Sequence, residues 1–394
     1  MKFHKLVILL IVIAGAVLIY WNFFSKKTSV KKALVAYASE IVQNCSVASY
    51  RPGCYEKEVP KVMDEGLTME EAFDITRLIQ EQDRSYAYCH VLGHNLSAKE
   101  TAKDPSKWKE VIARSPSGLC SNGGIHGAFQ ERFRTESLTT EQIEAHKPEF
   151  RDICEPKTGW NPTSLQQATC YHALGHLMMY ITDGEINPSV ALCEDVSVSG
   201  TRDFSQMCFD GAFMQIFQPL EPEDFALIEG KAPKKEGLAD FCSKFAEDKR
   251  ESCWTEGWPL YRAEIMTPTG VVQYCSKMFL QRPAEQENCF LSMFYVVTAQ
   301  VQFDLKKMKD YCSELPAKID AQCYANVASR MIETDYRNIP TVIDFCAAAP
   351  TNAQETCYKE LIKYSTYNFH KESSEYYQLC GLMPEIWRSQ CLGQ

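Results

Sequence analysis

Five of the chain's eight histidines lie in three short segments. "CHVLGH" starts at Cys89, "GGIHGAF" contains His126, and "CYHALGH" starts at Cys170. In the first and third segments the imidazoles are four residues apart: His90 with His94, and His172 with His176. On a helix that spacing puts both rings on one face, one turn apart. Two imidazoles that chelate one metal use the same separation. The segments are not H-E-x-x-H, because Val91 and Ala173 stand where the glutamate would be. A protease of that class is therefore excluded.

His126 belongs to the segment between the two pairs. If all five rings converge, they make an imidazole-rich site suited to zinc, copper, iron or manganese. Glu131, five residues after His126, and Asp210, at the matching place in "CFDGAF", are the candidate carboxylates. If the site is catalytic, these two are the candidate acid and base, beside an ion that activates water or oxygen. Asp183, Tyr171 and Tyr180 could line the same space. The competing reading has the histidines packed between helices and donating to carbonyls. Later segments such as "CYANVASR" and "CYKELIKY" keep the cysteine and lose the histidines, so the fold does not require imidazoles there.

Gly93, Gly127, Gly175, Gly211 and Gly257 accompany these segments. A helical Gly costs about 1 kcal/mol relative to Ala. Close helix packing and close approach of a ligand are both open as reasons. No P-loop, dinucleotide fingerprint or G-x-S-x-G elbow is present. "SNGG" after Cys120 reads as a turn.

The elements that must position these residues are announced by 18 cysteines. No C-x-x-C occurs, which argues against zinc ribbons, iron–sulfur clusters and c-type haem. Four pairs are C-x10-C: Cys242 with Cys253, Cys312 with Cys323, Cys346 with Cys357, and Cys380 with Cys391. The pair Cys275 with Cys289 is slightly wider. The first cysteines recur after 33, 37, 34 and 34 residues from Cys242, a helix–turn–helix period. Each bridge would staple two antiparallel helices across their loop, as Cys346 and Cys357 would across "AAAPTNAQET". Pairing in chain order then predicts Cys45 with Cys54, Cys89 with Cys120, Cys154 with Cys170, and Cys193 with Cys208. "TMEE" at Thr68 is a capping box that should start a helix running on towards Cys89.

Persistent disulfides need an oxidising compartment. Leu6 to Phe24 is an uncharged run long enough to span a bilayer, and reads as an uncleaved anchor rather than a signal peptide. The lysines that follow it favour a cytoplasmic C-terminal flank; the cysteines outweigh them and place the main domain outside the cytoplasm. A formal charge of −10 argues against nucleic-acid binding. The expected architecture is an all-α, disulfide-stapled α-solenoid of helix-pair repeats behind one N-terminal transmembrane helix. Residues 1–27 form the anchor, 28–220 the His-rich repeats and 221–394 the regular Cys-paired repeats.

In period and helix-pair layout the repeats resemble tetratricopeptide and Sel-like repeats, the disulfide-stapled ones above all. That resemblance implies a concave face able to bind a protein or peptide. The series CHxxGH, HGAF, CYHxxGH and DGAF also resembles that of a set of secreted, cysteine-rich helical proteins, from which no activity carries over. The leading expectation is a membrane-anchored, extracytoplasmic protein that binds a transition metal through His90, His94, His126, His172 and His176. The alternatives are a cell-envelope interaction scaffold without metal, and a redox protein using a strained disulfide. If the five rings do not converge, the single-site reading fails; if they converge in a cleft with Glu131 or Asp210, the scaffold-only reading is hard to hold.

Overall fold

In a computed structural model, the structure describes residues 31–116, 118–133, 138–199, 202–219, 222–278 and 282–393. The anchor expected at Leu6 to Phe24 lies outside the described residues. Among those described, no helix is long and apolar enough to cross a membrane. The described residues are almost entirely helical, with one two-residue antiparallel ladder among them, of Val198–Ser199 with Arg202–Asp203.

The chain forms two compact units, one ending at Tyr86 and one running from Ala87 to Gln394. The His-rich repeats from Ala87 on and the regular repeats lie in the second unit. In the first unit, the Thr68 capping box is formed, and Met69–Gln82 is helical. The helix stops there and does not continue towards Cys89. Asp83 turns extended, and its carboxylate accepts from the Ser85 backbone and hydroxyl and from Tyr55 Oη. An Asp side chain that captures nearby donors in this way competes with helix continuation.

The second unit is built on eight inner helices: α1 (His90–Lys103), α2 (Gly123–Phe133), α3 (Ser164–Ile181), α4 (Ser205–Phe217), α5 (Glu247–Glu256), α6 (Pro283–Gln300), α7 (Ile319–Thr334) and α8 (Thr351–Asn368). Each packs against the next, and from α3 onward an outer helix precedes each inner one. The series also returns on itself: α8 packs against α3, and α7 against the turn before α2. Ser121 meets Thr334 there, and His370 Nε2 lies 3.0 Å from the Asn161 carbonyl.

The disulfides join the cysteines in the order their spacing predicts. In the first unit Cys45 is bonded to Cys54. In the second, Cys89 is bonded to Cys120, Cys154 to Cys170, and Cys193 to Cys208. The regular repeats follow, with Cys242 bonded to Cys253, Cys275 to Cys289, Cys312 to Cys323, Cys346 to Cys357, and Cys380 to Cys391. Their Cα–Cα distances run from 4.7 to 5.7 Å, and no cysteine is free. Such a set belongs to a protein that folds in an oxidising, extracellular-type environment.

Two details differ from expectation. The stretch before Cys357 is already helical, since α8 starts at Thr351 behind an extended Pro350; the second cysteine therefore sits inside the inner helix, not at its start. The bridge of Cys89 with Cys120 does not link an outer to an inner helix. It ties the residue capping α1 to the turn that opens α2.

Candidate metal centre

Two helix crossings create the site. Where α1 meets α2, an added Cβ on Gly93 would lie 3.1 Å from the Gly124 nitrogen. One on Gly127 would collide with the His94 carbonyl, and one on Gly123 with the His90 carbonyl. Where α3 meets α4, Gly175 and Gly211 oppose each other, and a Cβ on Gly211 would strike the His172 carbonyl. Of the two reasons for these glycines, close backbone packing is the one realised. Gly257 is different: it ends α5, and its Cβ would meet the Leu238 side chain.

Close packing brings the five imidazoles together. The His126 ring lies 5.0 Å from His90 and 4.9 Å from His94 between centroids. It lies 5.4 Å from His172 and 5.6 Å from His176. His90, His94 and His126 are buried and can each offer a ring nitrogen within 4.8 Å of the others. His172 and His176 are half-buried beside them. Burial is the main cause that holds all five imidazoles in the neutral, ligating form. It pushes His90 down to about 4, His94, His126 and His172 well below the usual histidine range, and His176 lower as well. Neighbouring imidazoles add to the effect at His90, His94, His126 and His172.

The tautomers of the first pair follow from their partners. His90 Nδ1 lies 3.2 Å from the Cys120 carbonyl, which only accepts, so Nδ1 carries the proton. His94 Nδ1 lies 3.1 Å from Gln130 Oε1. Gln130 cannot be reversed without loss, because its Nε2 donates to Tyr180 Oη at 2.9 Å and Tyr180 donates to Asp224. The proton of His94 is therefore also on Nδ1. The two remaining lone pairs, on His90 Nε2 and His94 Nε2, face each other at 3.1 Å. A proton or a metal ion between them would relieve the opposition of these two acceptors. Neither ring nitrogen of the buried His126 has a protein hydrogen-bond partner.

The Cys120 carbonyl is held by an unusual backbone. Cys120, Ser121 and Asn122 have φ of 51°, 49° and 55°, three consecutive left-handed residues that are not glycine. Each costs roughly 1–2 kcal/mol. The "SNGG" turn is thus a strained support for His90, fixed at one end by the bridge from Cys89 to Cys120.

A small pocket with room for roughly one water molecule opens on the cluster, lined by His94, His126 and His176 with Gln130, Tyr180, Gln215, Gln218 and Asp224 among others. Tyr180 is therefore in the site, as its position suggests. Glu131 and Asp210 are not among the lining residues. Five residues beyond His126, Glu131 stands about 140° round the helix from it. Asp210 turns towards α5, where Ser252 Oγ donates to it at 2.6 Å; Gln206, on its own helix, donates at 3.3 Å. Loss of hydration lifts Asp210 to about 7, and Glu256 rises for the same reason, further raised by Asp210. Gln218 connects this carboxylate pair to the cleft, donating to Glu256 Oε2 at 2.7 Å. Tyr171 donates to Glu155 at 2.7 Å and is not a lining residue. Asp183 sits in a left-handed turn and is likewise not a lining residue.

Several site residues carry no motif. Gln130, Gln215, Met214 and Asp224 are revealed only by the crossings. Arg330, from α7, stacks over Tyr295, pairs with Glu333 and disfavours protonation of His90 and His172. The closing of α7 onto this region brings it there, and no local pattern predicts that. No protein-family model, curated protein or solved structure matches this chain.

Proposed function

We propose that the protein is a membrane-anchored, extracytoplasmic metal-binding protein whose transition ion is held by His90, His94 and His126. The observation that carries this reading is the 3.1 Å approach of two Nε2 lone pairs whose Nδ1 protons are committed to oxygen acceptors. Two nitrogens bound to one tetrahedral ion at about 2.05 Å lie about 3.3 Å apart, which is close to the separation found. The fixed Nδ1 hydrogen bonds are the outer-shell contacts that orient metal-ligating imidazoles. The pocket beside the cluster would leave a position for a water ligand, the requirement for a catalytic ion. Anchoring rests on the Leu6 to Phe24 run. The interaction-scaffold alternative offers no reason for five converging imidazoles or for an unpartnered buried His126.

The test is metal content of the full-length chain, produced in an oxidising compartment and purified without chelator or polyhistidine tag. Elemental analysis should find near-stoichiometric zinc, copper, iron or manganese, lost in a double variant carrying His90→Ala and His94→Ala at equal helicity. A protein that remains metal-free after each of these ions is added refutes the reading.

A further inference from the structure

The cluster has more donors than one ion can use. A tetrahedral site takes four ligands, and His90, His94 and His126 already form a compact group. His172 and His176 remain, and their surroundings repeat those of the first pair. The α1–α2 crossing and the α3–α4 crossing share the same opposed glycines. On α3 the two imidazoles are again one turn apart, with Nε2 atoms 3.3 Å from each other. That matches the spacing of about 3.3 Å on one tetrahedral ion. The partner helix again presents a glutamine: His176 Nδ1 lies 2.7 Å from Gln215 Oε1, and with the amide in that orientation the His176 Nε2 lone pair faces His172.

The difference lies in the extra donor. "HGAFQE" on α2 and "DGAFMQ" on α4 align so that Met214 falls at the place of Gln130. Met214 Sδ lies 3.3 Å from His172 Nε2. With metal–nitrogen and metal–sulfur distances of about 2.05 and 2.3 Å, that separation subtends about 100° at a shared ion. Gln215 is 2 % exposed, and its Nε2 has no protein partner although the residue lines the cleft.

We infer that His172, His176 and Met214 form a second metal position, distinct from the His90, His94 and His126 position, and that it takes copper(I). A thioether is a soft donor and selects copper(I) over zinc, whereas three imidazoles alone do not discriminate in that way. The centre is then dinuclear, with one ion per helix crossing. This inference rests on the metal-binding reading above and adds the count and the softness of the second site.

The experiment uses the full-length protein and two probes: zinc(II), followed by copper(I) added as its acetonitrile complex without oxygen. After desalting, elemental analysis should find one zinc and one copper per chain. Copper-edge X-ray absorption of the unmutated protein should show a sulfur neighbour at about 2.3 Å. Met214→Leu, which keeps volume, should weaken copper(I) at least tenfold against a competing chelator, remove the sulfur neighbour and leave zinc in place. The double variant with His90→Ala and His94→Ala should lose zinc and keep copper. One ion in total, with copper displacing zinc, overturns the second position and leaves the metal-binding reading standing. Bound copper without a sulfur neighbour also overturns it. No bound metal at all overturns both.

Discussion

A single methyl group at Gly127 should undo what the helix crossing achieves, and Gly381 supplies the control. Both glycines are helical, in α2 and in Ser374–Leu382. Gly→Ala in a helix gains about 1 kcal/mol from propensity. At Gly381 an added Cβ has nothing within 4 Å, so Gly381→Ala should keep that gain. At Gly127 the Cβ would collide with the His94 carbonyl and Ser97 Oγ, and the first of these is backbone that cannot rotate away. Relief requires α2 to move off α1, and overpacking of this kind costs about 1–3 kcal/mol or more. Net of propensity, Gly127→Ala should be neutral to about 2 kcal/mol destabilising, so the two variants should differ by about 1–3 kcal/mol. Urea unfolding followed by circular dichroism measures the difference. The displacement also moves His126 away from His90 and His94, so metal affinity should fall more in Gly127→Ala than its stability change accounts for. If the two variants unfold at the same urea concentration and bind metal equally, backbone packing at this crossing is not what positions the imidazoles.

Gln130→Leu should reduce metal affinity roughly 10–100-fold by titration, with unchanged helicity, because it removes the contact that fixes the His94 tautomer. Metal-free protein should lose stability as pH falls from about 6.5 towards 4. His90 folds with its imidazole near 4, so the unfolded chain binds the extra proton, and this group alone is worth about 3 kcal/mol once pH is below both values; acid titration of the unfolding midpoint measures it. Asp210 has the opposite sign: its carboxyl is raised to about 7, so its charged form opposes folding as pH rises through that value. Asp210→Asn should therefore raise the unfolding midpoint above about pH 7 relative to the parent. Removal of the bridge between Cys89 and Cys120, with a sequence separation of 31, should cost nearly 4 kcal/mol in the chain-entropy treatment, against nearly 3 for Cys346 with Cys357, at a separation of 11. Paired Cys→Ser variants compared by urea unfolding check that order.

The staples and the imidazoles were legible in the sequence because both are written locally. A cysteine repeat with a period near 34 implies stapled helix pairs, and His at i and i+4 implies a shared helix face whatever surrounds it. What the chain does not spell out is which faces of different helices meet. Asp210 occupies the place of His126 in a nearly identical segment, yet α4 presents it to Ser252 on α5. The glycines were visible, but their purpose was not, since close packing and ligand approach require the same absence of a side chain. Gln130, Met214 and Arg330 are ordinary helical residues until the crossings and the return of α7 give them neighbours. The capping box at Thr68 shows a start signal working alone, while the stop at Asp83 depends on Tyr55, nearly thirty residues earlier.

The bridge between Cys89 and Cys120 bears on how the protein matures. It anchors the left-handed turn whose carbonyl holds His90, and Cys170 stands two residues before His172. A chain whose thiols are still reduced lacks the constraint that keeps Cys120, Ser121 and Asn122 in their costly conformation. Before oxidation, the turn that supports His90 would lack this covalent anchor. If the cluster binds metal as proposed, thiol oxidation would precede loading, and the choice of ion would fall to the metals present where the chain finishes folding.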